Sequence, residues 1–160
     1  MSSPTVFYAQ VNITCAASPT DILVLTGAAN TIVRLRKFSM TATATSNQPF
    51  LLTLIKRSAD NTGGTRAAVT PVDISGRGET PNALLAAYSA NPASLGAAVG
   101  NIAFSGATSG VTATSRINPQ VILPGDDFIV INPGEVIAAN VTSGGGAGLV
   151  VYTNIVWDEG

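Results

Sequence analysis

The chain has 160 residues and a net charge of −1, with eight lysine and arginine residues against nine aspartate and glutamate residues. This length predicts a single domain, residues 1–160, with a sizeable core. The balanced charge argues against a polyphosphate partner such as nucleic acid. The chain contains no histidine, which removes the commonest acid–base group and metal ligand. We therefore expect a protein that is not an enzyme and that needs no cofactor or metal.

Low charge is the second notable feature of the composition. Charged residues make up 11 % of the chain, against about 25 % in ordinary soluble domains. Thr, Ser, Asn, Gly and Ala must then cover most of the surface, and such a surface is desolvated at little cost. The composition therefore predicts that much of the surface contacts other protein.

The N-terminal residues hold neither the charged nor the apolar region of a signal peptide, and no apolar window is long enough for a membrane span. We expect synthesis in the cytoplasm and no membrane partner. The one cysteine, Cys15, lies in an apolar-rich stretch and is predicted to be a small buried thiol.

Short runs of β-branched and aromatic residues alternate with clusters of Gly, Pro, Asn and Asp along the whole chain, a pattern typical of an all-β sandwich or barrel. Two helical turns are an alternative at Ala83–Tyr88, but the flanking prolines favour a strand. The predicted strands are Thr5–Ala9, Val11–Ala16, Asp21–Leu25, Thr31–Thr45, Phe50–Lys56, Ala83–Ser89, Gly100–Phe104, Val111–Ser115, Gln120–Ile122, Phe128–Ile131, Glu135–Val141 and Leu149–Trp157.

Two predicted strands have unusual faces. The apolar face of Thr31–Thr45 switches at Arg36–Lys37, and a β-bulge there would give one inward face, made of Val33, Leu35, Phe38, Met40, Ala42 and Ala44. The run Phe50–Ile55 is apolar on both faces and needs two covers. A second sheet covers one face; a neighbouring subunit or the chain's own loops cover the other. On the first alternative we predict an oligomer, most simply a trimer, with an interface formed by Phe50, Leu52 and Leu54.

Two segments are rich in residues that break strands. Ser58–Pro81 is predicted to be a long loop between strands. The Gly-rich stretch Ser143–Gly148 lacks the Lys-Ser/Thr of a phosphate-binding loop. It is predicted to be the tip of a hairpin that joins Glu135–Val141 to the last strand.

The densest acidic spot is Asp126–Asp127, followed by Glu135. Such carboxylates could bind calcium or act as an acid–base pair. The spacing lacks the alternating ligands of a calcium loop, so a solvated turn is the preferred interpretation.

Basic residues gather in two places, at Arg34, Arg36 and Lys37 and at Lys56 and Arg57. If the two strands pair, both groups share one end of the sheet. This group would dock against an acidic protein surface, or it is a solvated rim paired with local carboxylates.

Aromatic side chains offer another candidate site on the last strand. Tyr152, Asn154 and Asp158 share one parity, as a sugar-binding platform would require. Trp157 lies on the other parity and is predicted to pack in the core.

The C-terminal third, Ile122–Val141 and Val151–Glu159, resembles the closing strands of small jelly-roll modules. The wider chain is similar to small proteins encoded among the structural genes of tailed bacteriophages, which include capsid decoration, or cement, proteins. The segments that carry this similarity are Arg34-Leu35-Arg36-Lys37-Phe38, Leu54-Ile55-Lys56-Arg57-Ser58 and Tyr88-Ser89-Ala90-Asn91-Pro92.

This resemblance implies an antiparallel jelly roll, often trimeric, that binds the major capsid protein on the outside of an icosahedral head. The chain departs from fibre-type members in lacking an N-terminal arm or coiled coil. The alternative function is a host-adhesion or glycan-binding module that uses the loop at 58–81 or the strand around Tyr152.

Overall fold

The computed structural model describes residues 4–44, 49–108, 120–122, 128–143 and 148–160, and within them the chain is all-β. Two antiparallel sheets pack face to face as a jelly-roll-like sandwich, which confirms the predicted fold class. Sheet A has the order β10-β3-β12-β1-β6, with β9 also beside β3, and sheet B has the order β5-β7-β2-β11-β4-β8. The strands are β1 Thr5–Thr14, β2 Asp21–Thr26, β3 Val33–Ala44, β4 Pro49–Arg57, β5 Thr65–Ala68, β6 Val72–Asp73, β7 Leu84–Ala90, β8 Ala98–Thr108, β9 Gln120–Ile122, β10 Ile129–Ile131, β11 Val136–Ser143 and β12 Leu149–Glu159.

The first and last strands lie side by side at the centre of sheet A. β1 pairs with β12 along its whole length, from Thr5 opposite Glu159 to Thr14 opposite Val150. Alternate side chains of both strands point into the sandwich, where Phe7 and Trp157 pack with their ring centroids 5.5 Å apart. Trp157 is fully buried, as its parity predicts.

The bulge expected in β3 is present. Val156 of β12 lies opposite Lys37, whereas the next residue, Trp157, lies opposite Leu35. Arg36 is therefore the extra residue of the bulge. Its insertion keeps the apolar side chains on both sides of the switch buried, namely Val33, Leu35, Phe38, Met40 and Ala42; the side chain of Ala44 lies outside the described part.

Strand β4 is central in sheet B, between β11 and β8. Phe50, Leu52 and Leu54 point into the core and are almost fully buried within one copy of the chain. The assignment of these three side chains to an oligomer interface is therefore wrong, because the second sheet already covers them. The outward parity is Leu51, Thr53 and Ile55.

Two predicted connections differ from the structure. β11 and β12 do not form a hairpin, because β11 pairs with β2 and β4 in sheet B whereas β12 pairs with β1 and β3 in sheet A. The segment 58–81 is not loop throughout, since it contributes β5 to sheet B and β6 to sheet A. Both are short edge strands with little buried apolar surface, so they lack the pattern that identifies longer strands. The predicted strand Val111–Ser115 lies outside the described residues. Leu84–Ala90 forms strand β7, so the strand predicted at Ala83–Ser89 is confirmed and the helical alternative is not.

Candidate functional site

A buried network of polar side chains lies on one face of sheet B and is centred on Asp21. Asp21 is 0 % exposed. Its carboxylate accepts two hydrogen bonds from Arg57, from Nε at 2.6 Å and from Nη2 at 2.8 Å, and one each from Asn61 Nδ2 and Asn140 Nδ2 at 2.8 Å. The carboxylate is therefore both neutralised and fully hydrogen-bonded, as a charge in the interior requires.

The same network fastens two loops to the sheet. Arg57 Nη1 donates to the carbonyl of Gly96 at 2.8 Å, and the Gly96 amide donates to Asn61 Oδ1 at 3.0 Å. A Cβ at Gly96 would lie 1.9 Å from the carbonyl oxygen of Ala59, so the two loops approach as closely as backbone allows. The segments around residues 59–61 and 94–97 are thus locked together beside Asp21.

This network lies on the outward face of sheet B. Arg57 is opposite Val136 and Asn140 is opposite both Thr53 and Asp21, and directly paired residues point to the same side. Other outward side chains of this sheet are also buried, namely Val24, Ala86, Tyr88, Val136 and Ala138. The outward face of sheet B is therefore buried within one copy of the chain over β2, β7 and β11 and at Thr53 of β4, whereas Leu51 of β4 stays 39 % exposed.

A second arginine–aspartate cluster lies on the outward face of sheet A. Asp158 is 1 % exposed, and its carboxylate accepts a hydrogen bond from Arg34 Nη1 at 2.8 Å and another from Arg36 Nε. Unlike Arg57, these arginines keep 21 % and 33 % of their side-chain surface exposed. The cluster pairs two positive charges with one buried carboxylate and presents both guanidiniums at the surface.

Phe128 lies against both guanidiniums. Its ring centroid is 5.3 Å from Cζ of Arg34 and 4.9 Å from Cζ of Arg36, within the range of cation–π interactions. Phe128 is nevertheless 41 % exposed, and along the same edge of sheet A Val130 and Ile32 are 36 % and 49 % exposed. We call Ile32, Arg34, Arg36, Lys37, Phe128 and Val130 the β3–β10 corner.

The five predicted basic residues are only partly brought together. β3 and β4 belong to different sheets, so the condition that these two strands pair is not met. Arg57 is separated from the group by burial against Asp21. Lys56, however, reaches across to sheet A, where its Nζ donates to the carbonyl of Val130 at 3.1 Å and pairs with Glu135 at 2.8 Å. Lys37 lies on the outward face of β3 and is exposed.

The acidic candidates form no shared site in the described residues. Asp126 and Asp127 lie outside them. Glu135 accepts hydrogen bonds from Lys56 and from the Asn132 backbone and side chain, and these hold its pKa below the ordinary value. No group of three or more potential metal ligands occurs in the described chain, and Glu135 has the contacts of a turn-stabilising residue.

A cleft of about 270 Å³ opens where β1, the loop before β7 and the C-terminal residues meet. Its buried carboxylate, Glu159, accepts hydrogen bonds from Trp157 Nε1, from the backbone of Ala83 and from both amide groups of Asn82. This carboxylate thereby fastens the start of β7 to the end of β12. Its lone pairs are engaged by the protein itself, which makes Glu159 a poor acid–base group.

Cys15 is buried, as predicted, and its burial raises the pKa of its thiol to about 11. A thiol with so high a pKa holds almost no thiolate at neutral pH and is a weak nucleophile.

Sequence reasoning missed the most exposed part of the corner. The sequence predicts strands that include Ile32, Phe128 and Val130, but nothing in its pattern assigns these three residues to a site. Strand β10 has only three residues, all of them apolar. Its sequence is therefore too short to show by alternation which side chains face the solvent. Asn61 and Asn140 were missed too, because only the fold brings them to Asp21.

Comparison of the chain with protein-family models, with curated proteins and with solved structures gives no match. Within the described residues there is no helix with the length and apolar character needed to cross a membrane.

Proposed function

We propose that this chain is a structural virion protein of a tailed bacteriophage. It assembles as a homotrimer on the outside of the head, binds the major capsid protein and stabilises the shell. The β3–β10 corner is the docking surface. The sequence resemblance suggests the setting, and the exposed Phe128 held between the protein's own arginines supports the role of the corner.

The composition of the corner is that of an interaction surface. Arginine and aromatic residues are enriched at protein interfaces and dominate the residues whose truncation weakens binding most. Here Asp158 and Phe128 already fix Arg34 and Arg36 in place. Preorganised side chains lose less conformational entropy on binding, so this corner can bind a flat, acidic protein surface with little rearrangement.

Charge sets how the surfaces meet. Lys37 of the corner is exposed, and Arg34 and Arg36 keep part of their side-chain surface in solvent. An acidic patch on the capsid protein would be attracted over about 8 Å at physiological salt, which raises the association rate more than the affinity. Raised salt should therefore slow attachment, whereas the apolar contacts of Phe128 and Val130 retain the bound state.

The oligomer contact is assigned to the outward parity of β4. Leu51 is exposed at the end of this strand and lies opposite the exposed Thr142 of β11. Leu51 and Thr142 lie two residues along their strands from Thr53 and Asn140, which adjoin the Asp21 network. Light scattering of the purified protein should give three times the chain mass of 16.2 kDa, and a monomer mass at working concentration would remove the trimer from the proposal.

The direct test is rebinding to stripped heads. Heads assembled from the capsid protein of the same genome are freed of this chain, incubated with wild type or with Phe128→Ala, and sedimented. Truncating a central aromatic contact should weaken attachment about tenfold or more. The matched control is Leu84→Ala, since Leu84 is 40 % exposed but lies on sheet B. Equal binding by wild type and Phe128→Ala would refute docking through this corner.

A further inference from the structure

Sheet A presents a different surface beyond Lys37, in the direction away from Phe128. Three strands, β1, β12 and β3, lie there in continuous register. Their outward side chains form three rows of three, each read from β1 through β12 to β3: Gln10, Asn154 and Ser39; Asn12, Tyr152 and Thr41; Thr14, Val150 and Thr43. We call these nine residues the neutral grid.

The neutral grid has an exposed aromatic residue at its centre. Tyr152 is 37 % exposed, and Gln10, Asn12 and Thr14 beside it are exposed as well. Neighbouring strands lie about 4.8 Å apart, and successive outward residues along a strand about 6.8 Å apart. Apart from Val150, each grid residue around Tyr152 carries an amide or a hydroxyl group, and both kinds of group donate and accept hydrogen bonds.

Part of the grid is preorganised by hydrogen bonds across the strands. The hydroxyl of Tyr8 donates to Asn154 Oδ1 at 2.9 Å, and Asn154 Nδ2 lies 3.4 Å from the hydroxyl of Ser39. These contacts fix which way the Asn154 amide faces. A ligand on this face meets polar groups whose positions are set by the sheet rather than by a mobile loop, which reduces the entropy lost on binding.

The chemistry of the grid selects among ligands. None of the nine residues is charged, so the grid offers no cation for a nucleic acid or an acidic polymer. It has one aromatic residue and no Arg or Met, whereas the buried centre of a protein interface is rich in these. A flat neutral surface with many hydrogen-bonding groups around one exposed ring matches a hydroxyl-rich ligand with apolar C–H faces.

We propose that the neutral grid binds a neutral polysaccharide, with a sugar ring stacked on Tyr152 and its hydroxyls bonded to the surrounding amides and hydroxyls. This site lies on the same sheet as the β3–β10 corner but uses none of its residues. It therefore adds a binding activity to the proposed structural role and is independent of it.

The experiment is native electrophoresis of the purified protein in gels cast with one polysaccharide each. Four are neutral, namely hydroxyethyl cellulose, galactomannan, glucomannan and amylopectin, and alginate is the acidic comparison. Wild type should be retarded by at least one neutral polymer and not by alginate. Tyr152→Ala should weaken the binding about tenfold, and Tyr152→Phe, which keeps the ring, should stay within about twofold of wild type. Phe128→Ala removes an equally exposed aromatic outside the grid and should bind as wild type does.

Four results would overturn the proposal: no retardation by any neutral polymer, retardation by alginate alone, unchanged binding of Tyr152→Ala, or equal loss in Phe128→Ala. Light scattering tests whether a second copy of the chain, rather than a polysaccharide, occupies the grid. Dissociation of the oligomer in Tyr152→Ala would show that a second copy covers the grid. Rebinding of Tyr152→Ala to stripped heads is predicted to be normal. A negative result for polysaccharide binding would thus leave the proposed docking through the corner untouched. A negative result for docking would likewise leave the polysaccharide site untouched.

Discussion

Asp21 and Asp158 are both almost fully buried aspartates neutralised by arginine, yet their surroundings differ. Asp21 is enclosed by Arg57, Asn61 and Asn140, and Arg57 itself is only 6 % exposed. Asp158 is covered by two arginines that remain partly in solvent. The first arrangement leaves nothing for a partner to contact, whereas the second presents guanidiniums and an aromatic ring at the surface. Under the proposed function, the exposure of the cation, rather than that of the carboxylate, separates an ion pair that only stabilises the fold from one that a partner can contact.

The largest effect should come from breaking the Asp21 network. Arg57→Leu leaves the Asp21 charge buried with only two amide donors, and loss of one member of a buried pair costs about 3–5 kcal/mol. Urea unfolding would measure the change in the free energy of unfolding. The control is Arg66→Leu, because Arg66 and Asp60 form a pair whose side chains are both about one third exposed and whose loss should cost about 1 kcal/mol or less. Similar losses of unfolding free energy in Arg57→Leu and Arg66→Leu would show that the Asp21 network stabilises the fold no more than an exposed ion pair does.

A smaller loss should follow from crowding the loops at Gly96. A methyl group there would meet the Ala59 carbonyl, so Gly96→Ala should lower the free energy of unfolding by about 1–3 kcal/mol. Gly100→Ala is the matched control, since a Cβ at Gly100 has no described neighbour within 4 Å. Thermal unfolding of both variants would show whether the approach of the two loops contributes to stability, and equal melting temperatures would show that it does not.

Asp158→Asn should destabilise the protein less than Arg57→Leu does. The amide keeps the shape of the carboxylate, and solvent can stabilise the partly exposed Arg34 and Arg36, so we expect a loss of about 1–2 kcal/mol. Attachment to heads should weaken as well, because the two guanidiniums lose the group that orients them. A loss of stability as large as that of Arg57→Leu would remove the distinction between the clusters.

The smallest effect concerns pH. Lys56 and Asn132 hold the pKa of Glu135 below its ordinary value of 4.5, so at acid pH the unfolded chain binds the proton more readily than the folded chain. The stabilisation is complete above the unfolded pKa and is lost as the pH falls through the lowered folded pKa. Glu135→Gln should remove this pH-dependent contribution to the free energy of unfolding, which is about 0.5 kcal/mol or less because the side chain is partly exposed. The free energy of unfolding of wild type and of Glu135→Gln would be measured between about pH 2 and pH 7. A larger difference between the two proteins at acid pH than at neutral pH would contradict the assignment.

Local patterns predicted much of the fold. Alternation along β3 was enough to place a bulge at Arg36–Lys37, because parity is a property of one strand. The inward position of Trp157 followed from the same argument. Strand partners were harder, since pairing depends on contacts between distant parts of the chain. The hairpin expected between β11 and β12 failed for this reason.

The candidate sites show the same limit. Phe50–Ile55 is apolar on both parities, so its pattern could not show that Phe50, Leu52 and Leu54 face inward and Leu51 outward. The basic residues were recognised as a group, but only the structure shows that Arg57 is buried by Asp21 while Lys56 reaches Val130. The outward position of Tyr152 was predictable from parity. Its neighbours on β1 and β3 were not, because they depend on the register between strands.

Hydrogen exchange on the head-bound protein tests the central claim most directly. Amide exchange would be compared between the free protein and the protein attached to heads. Docking through the corner predicts new protection at residues 32–37 and 128–131, with unchanged exchange around Asp21 and Arg57, whose network is already closed. New protection centred on sheet B, with none at β10 and the start of β3, would contradict the assignment of the two clusters.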